Sequence, residues 1–494
     1  MEKLASCDRQ GSVYLGSDAV YRIIVPEEAS VVRNMLTLVS PGPPELIKTS
    51  VVPESCLPSG LPYVDGGLVL RHNRVPIISY SHEWCAAMLR DAAICQVELS
   101  MRLLDSGIYL KDAHPLNILF DRGAPVFVDL TSLVTQRALF AEDYLKANQS
   151  SRRADAHLRL IMLVIEIMKR MFEPYFLYPL MGYAFGDRAR IRRKILKTTL
   201  NTGSEAIKLG DCFPGLAPKM STIRNTISLL QSIRRWTSIR TSLLQAGDLR
   251  RFYADTRDFL QDIDVDKNES PYSKYYENKQ ENQCVIDFSQ WNEKQKSVHQ
   301  SLLPAEIETV IDVACNTGWF ALMAERLGKR VVAFDIDESS IEILYEKTKG
   351  RKLNIHPLVM DFTALTKDRF AQHDGLRVLI DATERLRCDA VLALGILHHL
   401  MLGNGLAFKE IFGTLGALCN KRIIIEFVDT ADELISAEPS FFKIYNRTRV
   451  IPADYDLNFI VNFIEDEGFR VTAMPSHPET RTILVCDKIV DQEG

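Results

Sequence analysis

The 494-residue chain lacks several features that would assign it to a common class. No apolar run is long enough to span a membrane, and residues 1–25 carry Asp8, Arg9 and Asp18 where a secretory signal needs an apolar core. The ten cysteines lack CxxC spacing, which argues against a zinc site and indicates reduced thiols. The formal net charge of −5 does not indicate a nucleic-acid partner. We therefore expect a cytoplasmic protein without a membrane span.

The composition that is present is typical of a folded protein with more than one domain. Hydrophobic residues make up 46% of the chain and charged residues 25%. A chain of this length is expected to form two domains. Residues 266–283 are polar and rich in turn formers, so we predict a linker or lid there, between domains at 1–265 and 284–494. Three tyrosines lie in this stretch, and each is either a plain surface residue or part of the lid: Tyr272, Tyr275 and Tyr276.

The C-terminal half is organised around residues 309–361. The run TVIDVA predicts a strand, CNTG a tight turn, the segment from Trp319 a helix, and the run ending at Asp335 a second strand. Gly318 is the glycine of this turn, and because it has no Cβ a ligand can approach the backbone there. A turn that leads into a helix offers free N–H groups, and an acid after the second strand can accept hydrogen bonds from ribose hydroxyls.

These residues resemble the first motif of class I S-adenosylmethionine (SAM)-dependent methyltransferases, whose pattern is acid-x-G-x-G-x-G. The glycine pattern of a dinucleotide-binding turn is absent. The resemblance implies SAM as cofactor, no metal in this domain, and a set of cofactor-binding residues: Asp312, Ala314, Asn316, Gly318, Asp335, Asp361 and Leu394. Only the acid and the last glycine of the motif are kept, but the matches continue through CDAVLALGILHHL, the predicted fourth strand.

Alternating strands and helices predict an α/β fold, a seven-stranded Rossmann-like sheet ending in an antiparallel hairpin. Strands are expected near 309–314, 330–335, 354–360, 389–396, 421–427, 469–474 and 481–487. Helices are expected near 318–327, 338–349, 403–417 and 455–467.

Candidate catalytic residues follow the fourth and fifth predicted strands, where ligands of such sheets bind. His398 and His399 come after the fourth strand and Glu426 with Asp429 after the fifth. A histidine with a near-neutral pKa is a suitable general base for a hydroxyl or amine acceptor. One of the two could equally be a buried histidine at the start of a helix. Adjacent side chains at a strand's end point to opposite sides, so only one histidine should face the reacting methyl group unless a helix has already begun. Glu426 is expected to bind the acceptor or orient a histidine.

The N-terminal half contains a second informative stretch, residues 107–132. Short strand-like runs and turns, including a hairpin around Gly16, are predicted for residues 11–78, and a helix for 84–104. Next come the strand-like runs NILF and PVFVDL, separated by an Asp-Arg-Gly turn, which predict a second hairpin. Residues 140–265 are predicted to be helical, with basic runs such as RIRRKILK.

This stretch resembles the catalytic segment of kinase-like and aminoglycoside-phosphotransferase-like enzymes. Asp112 stands at the catalytic position, and Asn117 and Asp129 stand at the metal-binding positions. The resemblance implies a kinase-like α+β domain with additional helices and, if it is active, Mg-ATP as a ligand. The glycine loop and the DFG triplet of these families are absent. The alternative is a structural hairpin in which Asp112 and Asn117 cap turns. Together with the methyltransferase motifs, the pattern resembles a bacterial group of methyltransferases, some of them associated with nodulation or natural products.

Three functions are consistent with the sequence. The first is methyl transfer to an oxygen or nitrogen of a small-molecule or glycan-type acceptor, with the kinase-like region as scaffold or binding module. The second is an enzyme that both phosphorylates and methylates one substrate. The third is a nucleotide-binding protein without catalysis. The acceptor and the oligomeric state are not determined by the sequence.

Overall fold

The computed structural model describes residues 2–4, 11–63, 65–141, 155–200, 206–213, 220–265, 270, 288–365, 380–436 and 451–489. The chain forms two compact units, and the described residues up to 265 belong to the first and those from 270 onward to the second. Most of the segment 266–283, with Tyr272, Tyr275 and Tyr276, lies outside the described residues. Within the described part of the chain, no helix has the length and apolar character of a membrane span.

The first unit begins with an antiparallel five-stranded sheet in the order β1-β2-β3-β5-β4. Its strands are β1 (Glu2–Leu4), β2 (Gly11–Leu15), β3 (Ala19–Ile24), β4 (Thr49–Val51) and β5 (Leu68–Asn73). The β2–β3 hairpin around Gly16 confirms the predicted hairpin, with Leu15 opposite Val20. Two further pairs follow in the chain: β6 (Ile108–Leu110) with β9 (Leu133–Thr135), and β7 (Ile118–Asp121) with β8 (Ala124–Phe127).

One helix in this region was not predicted, since residues 11–78 were expected to contain only strand-like runs and turns. Helix α1 spans Pro26–Leu38 and buries Ala29, Val32 and Met35 on one face. Pro26 is at the first helical turn, followed by Glu27 and Glu28, which is a favourable helix start. The β-branched residues around Val32 are typical of a strand, so the helical spacing of the buried residues was not recognised from the sequence.

The remaining helices of the first unit confirm the predicted helical character of residues 84–104 and 140–265. They are α2 (Ala86–Leu103), α3 (Gln136–Ala141), α4 (Ala156–Ile167), α5 (Tyr178–Phe185), α6 (Arg188–Leu200), α7 (Met220–Ala246) and α8 (Leu249–Gln261). A π-helical segment, Met168–Leu177, joins α4 to α5 and contains Pro174, which cannot donate a backbone hydrogen bond. Helix α2 is buried over most of its length and forms the centre of this unit.

The second unit contains a seven-stranded sheet in the order β12-β11-β10-β13-β14-β16-β15. The strands are β10 (Thr309–Val313), β11 (Arg330–Asp335), β12 (Ile355–Val359), β13 (Cys388–Ala393), β14 (Cys419–Val428), β15 (Phe469–Pro475) and β16 (Arg481–Lys488). Strands β10 to β14 are parallel, and β16 lies antiparallel between β14 and β15. The Rossmann-like sheet and its terminal hairpin are confirmed.

The helices of the second unit precede the sheet or lie between its strands in the chain. They are α9 (Glu293–Leu302), α10 (Trp319–Arg326), α11 (Glu338–Arg351), α12 (Phe362–Leu365), α13 (Ala382–Arg385), α14 (Phe408–Leu418), α15 (Glu433–Ser436) and α16 (Leu457–Asp466). A π-helical turn, His399–Gly403, precedes α14. Strands β10 and β13 are the centre of the sheet and are almost fully buried, as expected for parallel strands covered on both faces.

Candidate functional site

The turn between β10 and α10 has an unusual backbone. Ala314, Asn316 and Gly318 all have positive φ, at 56°, 51° and 82°. A positive φ is uncommon in residues other than glycine, although asparagine tolerates it better than most. These are the three positions at which the acid-x-G-x-G-x-G pattern has glycine, so Ala314 and Asn316 adopt a backbone conformation that favours glycine.

Gly318 is the motif glycine that is kept, and a neighbouring side chain occupies the space that a larger residue would need. A Cβ at this position would lie 2.4 Å from Cδ1 of Leu344 in α11. Gly318 directly precedes α10, so the first N–H groups of that helix lie next to the turn. A larger residue at position 318 would therefore separate the turn from α11 as well as strain the backbone.

Asp312 lies in β10 below this turn and is 2% exposed. Among the described residues, its Oδ2 atom has no hydrogen-bond partner. Burial raises the pKa of Asp312 to about 7, and the nearby Asp335 carboxylate adds to the rise, while the Ala321 N–H and the charge of Lys294 oppose it. A buried carboxylate oxygen without a partner is costly unless a ligand satisfies it. SAM carries an ammonium group that suits this oxygen, so the residues present fit the cofactor.

Asp335 ends β11 and lies at the same end of the sheet as the turn. Its Oδ2 atom accepts the N–H of Asn316 at 2.8 Å, and its Oδ1 atom accepts the N–H of Asp337 at 2.8 Å. Burial raises the pKa of Asp335 despite these hydrogen bonds. The Ile336 N–H also stabilises the charged form of Asp335. Because a carboxylate has about four acceptor positions, Asp335 still has capacity for a ligand hydroxyl group.

The other two predicted cofactor residues have different surroundings. Asp361 follows β12 and is exposed. Its Oδ1 atom accepts hydrogen bonds from the N–H of Thr363 at 2.9 Å and from the Thr363 hydroxyl at 2.8 Å. Leu394 follows β13 directly and is buried. Both lie after parallel strands at the edge that carries Asp335, and their contact with a cofactor stays a prediction.

The predicted position of Glu426 needs a correction, because the residue lies within β14 and not after it. Its side chain is fully buried, since the strand continues to Val428 and pairs with β16 on its other side. Glu426 accepts hydrogen bonds from Lys294 Nζ at 2.6 Å and from Ser476 Oγ at 2.9 Å. Sequence reasoning missed Lys294, which is far from Glu426 in the chain and belongs to no motif. A single lysine in the polar helix α9 gives no signal of such a role.

The two histidines also differ from expectation. The backbone is already helical at His398, so the rings do not point to opposite sides of a strand; their centroids are 4.4 Å apart. Burial lowers the pKa of His398 to about 3. The charges of His399, Arg481 and Lys294 lower it further, whereas the charge of Asp432 acts to raise it. His398 thus corresponds to the alternative of a buried histidine at the start of a helix. His399 is more exposed than His398, and the part of its ring that is removed from solvent lowers its pKa.

In the first unit, the structure brings Asp112, Asn117 and Asp129 together around one hydroxyl group. Ser132 Oγ lies 2.5 Å from Asp129 Oδ2 and 3.4 Å from Asp112 Oδ2, and it accepts from Asn117 Nδ2 at 3.1 Å. The β6–β9 pair and the β7–β8 hairpin position the residues, since Asp112 follows β6, Asn117 precedes β7 and Asp129 follows β8.

The Asp129 carboxylate is also engaged by a cation. Arg22 NH1 in β3 lies 3.0 Å from Asp129 Oδ1, and Thr131 Oγ1 donates to the same oxygen at 2.6 Å. Burial alone would raise the pKa of Asp129, but the Arg22 guanidinium and the hydrogen bonds from Ser132 and Thr131 hold it below its ordinary value. In this arrangement, the Arg22 guanidinium balances the charge of the Asp129 carboxylate.

Comparisons with known proteins agree with the geometry of the second unit. A family model described as a methyltransferase domain matches residues 310–415. The nodulation protein NoeA of Rhizobium meliloti (strain 1021) is 24% identical over 459 residues, which cover 89% of this chain and 88% of that protein.

Two solved structures are similar to part of this chain. Magnesium protoporphyrin IX methyltransferase from Synechocystis PCC 6803 with bound SAM is 18% identical with a TM-score of 0.26, covering 39% of this chain and 77% of that chain. The bifunctional kinase-methyltransferase WbdD is 15% identical with a TM-score of 0.27, covering 39% of this chain and 38% of that chain.

The matched residues 310–415 contain the left-handed turn, the buried Asp312 and the acid that ends β11. Sequence motif, backbone geometry and family model thus coincide in one segment. The chain is an S-adenosylmethionine-dependent methyltransferase with a Rossmann-like domain.

Proposed function

We propose that the chain transfers the methyl group of SAM to an oxygen or nitrogen of a small-molecule or glycan-type acceptor. The observation that carries this proposal is the turn formed by Ala314, Asn316 and Gly318 between the acids Asp312 and Asp335. The net charge of −5 gives no support for a nucleic-acid acceptor.

SAM, when bound, supplies an electrophilic methyl group on a positively charged sulfur. In the proposed site, Asp335 accepts hydrogen bonds from the ribose hydroxyls and Asp312 faces the ammonium group. Asp361 and Leu394 border the adenine end. Holding the acceptor in line with the methyl group contributes much of the rate in such a displacement.

The acceptor side of the site lies beyond β13 and β14. His399 is the better candidate for a general base, because it is exposed while His398 is buried and has its pKa lowered to about 3. A hydroxyl acceptor needs such a base, whereas an uncharged amine does not. Glu426 is held by Lys294 and Ser476, which supports a role in positioning rather than in proton transfer.

The domain at 1–265 is proposed to be a kinase-like scaffold or binding module. Support comes from the five-stranded sheet with α1 after β3, from the helices that follow, and from the grouping of Asp112, Asn117 and Asp129. The Arg22–Asp129 ion pair favours a scaffold, because it occupies an oxygen that Mg²⁺ would need.

A second candidate function is phosphorylation and methylation of one substrate. It is favoured by the same grouping of Asp112, Asn117 and Asp129, the residue types that orient a hydroxyl and hold Mg²⁺ in phosphoryl transfer. This candidate requires Mg-ATP to bind at these three residues.

The test is release of S-adenosylhomocysteine (SAH) from SAM by the purified full chain, with panels of hydroxylated and amine acceptors, including oligosaccharides. Mass spectrometry of the product identifies the atom that is methylated. We expect SAH release with at least one acceptor and none with Gly318→Val, which fills the turn. Equal SAH release by wild type and Gly318→Val would contradict the proposed site. Transfer of the γ-phosphate of radiolabelled ATP to the same acceptor would establish the second candidate.

A further inference from the structure

Lys294 is a partly buried cation at the candidate site to which neither motif nor comparison assigns a role. Its side chain is 17% exposed, and its Nζ atom lies 2.6 Å from Oε2 of Glu426, which is fully buried. Glu426 thereby balances the charge of the lysine and fixes its position. Burial of a lysine requires such a partner, since an isolated ammonium group would be costly to desolvate.

The position of Lys294 places it beside the cofactor turn. Its ammonium lies 5.4 Å from the ring centroid of Phe320, the second residue of α10. Its charge opposes the rise in the pKa of Asp312. The partner oxygen, Glu426 Oε2, is 3.5 Å from the place where a Cβ of Gly395 would be, shortly after β13. Lys294 is therefore close to the carboxyl ends of the central strands β10, β13 and β14.

Lys294 also has donors to spare. An ammonium group has three N–H donors, and among the described residues the hydrogen bond to Glu426 is the one that Lys294 makes. Asp312, at the same strand ends, has an oxygen without a partner among those residues. Lys294 therefore offers a cationic donor and Asp312 an anionic acceptor beside the same turn. Such a pair is complementary to a ligand that carries both a carboxylate and an ammonium group.

We propose that Lys294 binds the carboxylate of the methionyl end of SAM, while Asp312 accepts from its ammonium group. The inference rests on the proposed cofactor site and extends it to a residue upstream of β10. Glu426 then acts as a positioning residue, which holds the lysine in place before the cofactor arrives. The charge-assisted hydrogen bond from Lys294 recognises the amino-acid part of the cofactor and makes no contact with the nucleoside.

The experiment compares two ligands by isothermal titration calorimetry on the full chain. SAH has the amino-acid part, and 5′-methylthioadenosine has the same nucleoside and thioether without it. Lys294→Met should weaken SAH binding by about 10- to 100-fold and change 5′-methylthioadenosine binding by less than about twofold. Lys294→Arg should recover part of the SAH affinity.

The matched control is Lys296→Met, the same substitution two residues along α9, where the lysine is exposed and pairs with the exposed Glu293. It should bind both ligands as the wild type does. Since Lys294→Met leaves Glu426 buried without its cation, the double variant Lys294→Met/Glu426→Gln removes both charges and should show the same selective loss.

Other outcomes would overturn the inference. Equal losses for the two ligands in both variants would mean that Lys294 supports the fold and does not contact the carboxylate. Unchanged SAH affinity would exclude the contact directly. If the wild type binds neither ligand, the cofactor site itself is wrong and the proposed function fails with it.

Discussion

Asp312 should release a proton when the cofactor product binds. Its pKa of about 7 in the free protein means that the carboxyl group is about nine-tenths protonated at pH 6 and about one-tenth protonated at pH 8. A ligand ammonium at Oδ2 favours the charged form and lowers the pKa. SAH binding should therefore release close to one proton at pH 6 and about a tenth of one at pH 8.

The same shift makes SAH affinity depend on pH. Because the free carboxyl must lose its proton first, affinity at pH 6 should be about tenfold lower than at pH 8 if the bound pKa falls to its ordinary range. The stability of the free protein should also depend on pH. Because the pKa of Asp312 is raised in the folded state, the stability that this group contributes is present at low pH and is lost as pH rises through about 7.

Calorimetry in buffers of different ionisation enthalpy measures the number of protons released. Asp312→Asn should abolish most of the release at pH 6 and flatten the pH dependence of affinity. Asp335 and Lys294 are the charged neighbours of Asp312, and both are kept in this variant. The exposed Asp466→Asn at the end of α16 is the control. No proton release by the wild type at pH 6, or the same release by Asp312→Asn, would refute the reasoning.

Further predictions concern neighbouring residues and the first unit. Asp335→Ala should weaken SAH binding by about 1.5–3 kcal/mol because the ribose diol loses its charged acceptor, and wild-type affinity in calorimetry would contradict this. If the first unit is a scaffold, Mg-ATP should leave the melting temperature of the wild type unchanged and Asp129→Asn should leave methyl transfer unchanged; an Mg-dependent rise that is lost in Asp129→Asn would instead favour phosphoryl transfer. The pKa of His398 is lowered, so the stability that this residue contributes is present above about pH 6.5 and lost as pH falls toward 3. At pH 5 the free energy of unfolding should be about 2 kcal/mol lower for this reason. His398→Gln should remove this loss from the pH dependence of urea unfolding. If the acceptor is a hydroxyl group, His399→Gln should lower turnover by about 10²–10⁴-fold with a loss that shrinks at high pH, and a change of only a few-fold would mean that no base is used.

Much of the second unit was predictable because its parallel strands are short, apolar and β-branched, and are separated by clear turns. The motif residues were predictable for a related reason: Ala314, Asn316 and Gly318 lie close together in the chain and share one backbone requirement. Helix α1 was not recognised, because β-branched residues inside it resemble a strand when their buried neighbours are unknown.

Contacts between distant residues were beyond the reach of the sequence. The Lys294–Glu426 pair joins α9 to the interior of β14, and no local pattern links the two residues. The Arg22–Asp129 pair likewise depends on how β3 meets the segment after β8. The pKa of His398 follows from burial, which a single sequence cannot reveal for one polar residue in an apolar run.

The place of β16 in the sheet has a consequence for how the protein is made. During synthesis, β14 leaves the ribosome well before β16, which later covers its free edge. Until then, β14 exposes unpaired backbone groups on a strand that contains Ile423, Ile424 and Ile425. The nascent chain therefore passes through a stage in which it can pair with other chains, and chaperones that hold apolar segments should increase the yield of folded protein. Truncation before Arg481 should make this exposed state permanent and lead to aggregation.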